Sequence, residues 1–138
     1  MNKIWKVIIP TAFALCSSFS FAATCNSIID NNTLSDLTIP AGATCTVNNV
    51  SIEGDVNIQK DASLILNSSS VQGSIQAHQA KAIHLINSSV SGDVRAAQAA
   101  TMIQLEKSVI SGDLQCSAST KLQTNLSSIE GQKTGKCR

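Results

Sequence analysis

Five glycines, Gly54, Gly73, Gly92, Gly112 and Gly131, recur at intervals of 19, 19, 20 and 19 residues, each within the same local pattern. A fixed period near 20 residues marks a solenoid, in which near-identical coils stack along one axis. Aligned on glycine, the units read Val50-Ser-Ile-Glu-Gly-Asp-Val56, Ser69-Ser-Val-Gln-Gly-Ser-Ile75 and Ser88-Ser-Val-Ser-Gly-Asp-Val94. Ser108-Val-Ile-Ser-Gly-Asp-Leu114 and Ser127-Ser-Ile-Glu-Gly-Gln-Lys133 complete the set. Two residues before each glycine stands a β-branched residue: Ile52, Val71, Val90, Ile110 or Ile129. Two residues after it stand Val56, Ile75, Val94 and Leu114, and Lys133 alone breaks the rule. Apolar and polar residues thus alternate on both sides of the glycine, the signature of half-buried strands. The glycine is expected at a corner or bulge between two short strands, where positive φ costs it little.

A second apolar pair precedes each corner: Leu64/Leu66, Ile83/Leu85, Ile103/Leu105 and the weaker Leu122/Thr124. It predicts a third strand per coil. Upstream, Ser35-Asp-Leu-Thr-Ile39 matches Gly54-Asp-Val-Asn-Ile58, and Cys45-Thr-Val47 matches Leu64-Ile-Leu66. The expected fold is all-β: a short parallel β-helix of about five coils of 19–20 residues. Strands of about four residues bury too little alone, so stacking about 4.8 Å apart must align like residues in interior ladders. Residues 78–86 and 95–106 are alanine-rich and would suit a strand-plus-helix solenoid by propensity. A coil of 19–20 residues leaves little room for a helix after two strands, and Ile83-His-Leu85 and Ile103-Gln-Leu105 alternate like Leu64-Ile-Leu66.

The V/I-x-G-D/S-V/I/L units quoted above resemble those of the single-stranded right-handed parallel β-helices, the superfamily of pectate lyases and, with coils of similar length, bactofilins. The resemblance is architectural, spans roughly 100 residues and implies a right-handed scaffold without a catalytic motif. Left-handed hexapeptide β-helices repeat every six residues, a sub-period absent here. Fold by itself does not assign function.

Residues 1–22 read as an export signal: Lys3 and Lys6, an apolar run over 7–15, then Ser20-Phe-Ala22 as a small–x–small cleavage pattern. Cys16 follows the bulky Leu15 and is expected to leave with the signal. Residues 23–138 form one expected domain, with 23–33 and 132–138 capping coils over 34–131. Because Trp5, Phe13, Phe19 and Phe21 lie in the signal, the mature chain has no Phe, Trp or Tyr. Its 8 basic and 9 acidic residues give no cationic footprint for nucleic acid, and there is no aromatic platform for stacking bases. No stable membrane insertion is expected once the signal is removed.

Four cysteines survive processing: Cys25, Cys45, Cys116 and Cys137. An even count in an exported chain predicts disulfides. Of three connectivities, Cys25–Cys45 and Cys116–Cys137 are favoured, because each closes a loop near one coil long at one end. The spacing does not suit redox catalysis or zinc.

Candidate sites are few. Asp36, Asp55, Asp93 and Asp113 follow the corner glycines, interrupted by Ser74 and Gln132. Asp93 and Asp113 on adjacent coils, roughly 5 Å apart, with Arg95 nearby, could form an acid–base pair or bind an acidic sugar or calcium. Turn chemistry explains the same column, since Asp bonds its own backbone at tight corners. Ser69, Ser88, Ser108 and Ser127 form a second column, with Ser70, Ser89 and Ser128 beside three of them and Asn67, Asn87 and Asn125 before it. These offer either a hydroxyl and amide binding face or a structural ladder, and the ladder is preferred. His78 and His84 do not converge and are expected to face solvent, while Lys60, Lys81, Lys107 and Lys121 form a sparse column that discourages lateral sheet pairing.

No cofactor or metal is expected. The functional expectation is a non-enzymatic structural or binding protein, exported to the periplasm or medium of a bacterium. It would present a rigid face to a protein or an envelope polysaccharide. The alternatives are a small polysaccharide-acting lyase or hydrolase, and an inhibitor or immunity-type protein that binds a secreted enzyme.

Overall fold

The computed structural model describes residues 22–96 and 102–137. The expected signal, Cys16 and Arg138 lie outside the described residues. Every regular element described is a short strand, and every pairing is parallel. The chain makes three strands per coil and contributes one to each of three sheets in turn.

The first sheet has seven strands: Ala22–Thr24, Asp36–Ile39, Val56–Ile58, Ile75–Ala77, Val94–Ala96, Leu114–Cys116 and Lys133–Gly135. The second has six: Ile28–Asp30, Thr44–Asn48, Ser63–Asn67, Ala82–Ile86, Met102–Glu106 and Lys121–Asn125. The third also has six: Thr33–Leu34, Ser51–Ile52, Ser70–Val71, Ser89–Val90, Val109–Ile110 and Ser128–Ile129. The result is a parallel β-solenoid of about five coils. The alanine-rich segments are not helical: their described parts are the strands Ala82–Ile86, Val94–Ala96 and Met102–Glu106.

Register follows the sequence period. Val56 pairs with Ile75, Ile75 with Val94 and Val94 with Leu114. The 20-residue step arises because Val94 aligns with Ile75 while Met102 aligns with Ala82, which places the extra residue in 97–101, outside the described residues. Five interior columns result. Leu64, Ile83 and Ile103 stack in one, Leu66, Leu85 and Leu105 in another, and Ile52, Val71, Val90 and Ile110 in a third. All of these side chains are buried. Each fully buried Leu or Ile contributes about 1.5–3 kcal/mol, so a core without aromatic rings holds by repetition.

Both ends carry the expected staples, Cys25–Cys45 and Cys116–Cys137. Cys45 replaces the leucine of its column, in register with Leu64, and Cys116 sits where Ala96 sits one coil above. The upper cap is a shortened rung: Ala22 pairs with Asp36, Ile28 with Thr46 and Thr33 with Ser51. At the lower end the interior columns turn polar, with Thr124 below Leu105 and Lys133 below Leu114.

Candidate functional site

The corner glycines carry their residue for a different reason from the expected one. Positive φ among the described glycines occurs only at Gly42 and Gly135. At Gly54, Gly73, Gly92, Gly112 and Gly131 a β-carbon would lie within 3.0 Å of atoms of the coil above. For Gly112 those atoms are Gly92 O and C and Asp93 Oδ1; for Gly92 they are Gly73 O and C and Ser74 Oγ. The corner needs glycine because stacked backbones touch there.

That contact also explains the aspartates. Asp36 Oδ1 accepts the amide of Asp55 (2.9 Å), and Asp55 Oδ1 that of Ser74 (2.8 Å). Ser74 Oγ accepts from Asp93 N (3.2 Å), Asp93 Oδ1 from Asp113 N (2.8 Å) and Asp113 Oδ1 from Gln132 N (2.8 Å). Each side chain therefore binds the backbone of the next coil, not its own turn, and serine substitutes by the same bond. One oxygen of Asp93 is committed in this way. The other, Oδ2, lies 3.8 Å from Arg95, with the arginine 55% and the aspartate 37% exposed. Asp93, Asp113 and Arg95 are thus brought to one corner, and the two carboxylates are first of all rungs of a backbone ladder. Among the described residues no group of three or more His, Cys, Asp or Glu could hold a metal ion.

The serine column resolves into two. Ser69, Ser88 and Ser108 are buried, and their hydroxyls bridge coils. Ser88 Oγ donates to Ile86 O (2.8 Å) and Leu66 O (3.1 Å) and accepts from Ser69 N (3.2 Å). Ser69 and Val50 repeat the arrangement one coil higher, and Ser108 and Ser127 continue it below. The neighbours Ser51, Ser70, Ser89 and Ser128 pair on the outer side of the third sheet, where Val109 interrupts them.

The asparagines do not form the expected column. Asn48 and Asn67 stack under Asp30, Asn48 Nδ2 donating to Asp30 Oδ1 (2.6 Å) and Asn67 Nδ2 to Asn48 Oδ1 (2.9 Å). Below them the position passes to Ile86, Glu106 and Asn125. Asn87 belongs instead to a column missed in the sequence: Asn31, Asn49, Ser68, Asn87, Lys107 and Leu126 all have φ between 48° and 52°. Asparagine tolerates that left-handed turn best among non-glycine residues, and three of six positions hold it. That bias was the available signal.

The lysines are also scattered rather than aligned. Lys60 and Lys81 lie between the first and second sheets, Lys121 opens a strand of the second, and Lys107 occupies the left-handed corner on the far side. His78 is exposed just after Ile75–Ala77, whereas His84 sits mid-strand on the outer face of the second sheet, between Ile65 and Gln104. They do not converge.

Two shallow hollows mark the ends. The upper, of about 510 Å3, is lined by Asn31, Asn32, Thr33, Asn49 and Ser51. The lower, of about 320 Å3, is lined by Leu122, Thr124, Lys133, Gly135 and Cys137. Compared with known proteins, the chain matches no family model, no curated protein and no solved structure.

Proposed function

We propose that this chain is an exported, non-enzymatic binding protein, a rigid right-handed β-helix that offers its surface to a macromolecular partner of the bacterial envelope. One observation carries that reading. The side chains with chemistry, the corner aspartates and the column serines, are engaged in bonds that hold one coil to the next. Disulfides at both ends suit an oxidising compartment, periplasm or medium. The export signal at residues 1–22 belongs to the same reading.

The test uses purified mature protein with isolated envelope polysaccharides and envelope proteins. Saturable binding without change to the polymer is expected. Depolymerisation would overturn the proposal.

A second reading, a polysaccharide-acting enzyme, draws on the Arg95–Asp93 pair one rung from Asp113. It requires activity that disappears in Asp93→Asn and Asp113→Asn. Both variants keep the oxygen that accepts the amide below, so their fold should survive and the outcome reports on chemistry alone.

A further inference from the structure

A solenoid converts position in sequence into height along the rod, so uneven charge along the chain becomes axial polarity. Residues 22–59 hold Asp30, Asp36, Glu53 and Asp55 and no lysine or arginine. Residues 121–137 hold Lys121, Lys133 and Lys136 against Glu130 alone. The rod therefore has an acidic upper half and a cationic lower end. Among the described residues none of these three lysines takes part in an ion pair.

The lower end is also structurally open. Each sheet terminates there, at Lys121–Asn125, Ser128–Ile129 and Lys133–Gly135, with no described strand beneath. Its edge N–H and C=O groups are a template for one more strand. The hollow beside that edge has an apolar wall at Leu122 and Cys137 and a cation at Lys133, and Leu126 nearby is 79% exposed. Lys133 stands in the interior column beneath Leu114. A second copy stacked below would bury that ammonium, since an inward charge at an edge opposes self-pairing.

We propose that the lower end docks an extended acidic segment of a partner polypeptide, which adds a rung beneath Lys121–Asn125. Alternating side chains suit the site: carboxylates on one face of the added strand lie opposite Lys121, and small apolar residues on the other enter the hollow against Leu122. Lys133 meets an acidic residue or the terminal carboxylate of that segment. This inference rests on the binding-protein reading and names the surface and partner class for it.

The probes are a capped heptapeptide of alternating glutamate and valine and its lysine–valine counterpart, each titrated into the full protein and followed by amide chemical shifts. The acidic peptide should shift the amides of 121–125 and 133–135 and weaken with added salt. The Lys121→Glu, Lys133→Glu double variant, checked for unchanged circular dichroism, should bind it at least tenfold more weakly. Equal shifts with the lysine peptide, shifts confined to the upper end or side faces, or salt-sensitive self-association of the protein alone would each overturn the proposal. Interaction with anionic lipid vesicles but not with the acidic peptide would overturn it too. If the peptide fails while envelope polymers still bind, this docking site falls and the binding-protein reading stands.

Discussion

At Gly92 a methyl group would press on the Gly73 carbonyl and the Ser74 hydroxyl, the atoms on which its own coil rests. Backbone cannot swing aside as a side-chain tip can, so Gly92→Ala should lose about 1–3 kcal/mol, the usual cost of overpacking. A urea melt with an unchanged midpoint would contradict this. The left-handed corners hold the opposite opportunity. Leu126 has φ 51° and is almost fully exposed, so it bears a conformational cost without a packing return. Asparagine occupies the equivalent place at Asn31, Asn49 and Asn87. Leu126→Asn should therefore raise the midpoint by up to about 1 kcal/mol of stability, given the roughly 1–2 kcal/mol that αL costs most residues. A fall would show that the corner is set by something other than local sterics.

At the level of one strand and its corner, the paired serines separate two roles that look alike in sequence. Ser88 is buried and supplies the bond for Ser69 N, whereas Ser89 stands on the outer side. Ser88→Ala orphans a buried N–H and should cost about 1–3 kcal/mol. Ser89→Ala should stay within about 0.5 kcal/mol, as surface changes do. Equal melting shifts for the two variants would refute the assignment. The strands and their inward faces were legible because β-branched residues alternate at Ile52, Val71, Val90 and Ile110. The corner was not, for a physical reason. One left-handed residue such as Asn87 interrupts the alternation, so the phase of the following Ser-Ser pair cannot be counted from the strand before it. The corner glycines were found by spacing but misread: close stacking and positive φ both leave glycine in a sequence, and only coordinates tell them apart. For the candidate site, spacing put Asp93 and Asp113 on adjacent rungs, but their bonds to the next coil's amides depend on how closely the coils approach.

Across the whole molecule each coil touches only its neighbours, so perturbations should stay local. The staples at the two ends act on different halves of the rod. Replacing Cys116 and Cys137 by serine removes about 3 kcal/mol of loop constraint. Amide exchange should quicken over residues 114–137, while the strands Asp36–Ile39 and Val56–Ile58 keep their protection. Uniform loss along the chain would mean that the coils unfold as one unit. The stacking itself is open to direct observation through methyl–methyl nuclear Overhauser contacts in the interior ladder. Val71 should show contacts to Val90, and Val90 to Ile110, while the pair two rungs apart, Val71 and Ile110, shows none. Absence of the neighbour contacts, or a ladder joining residues that are not one coil apart, would contradict the solenoid on which every inference above depends.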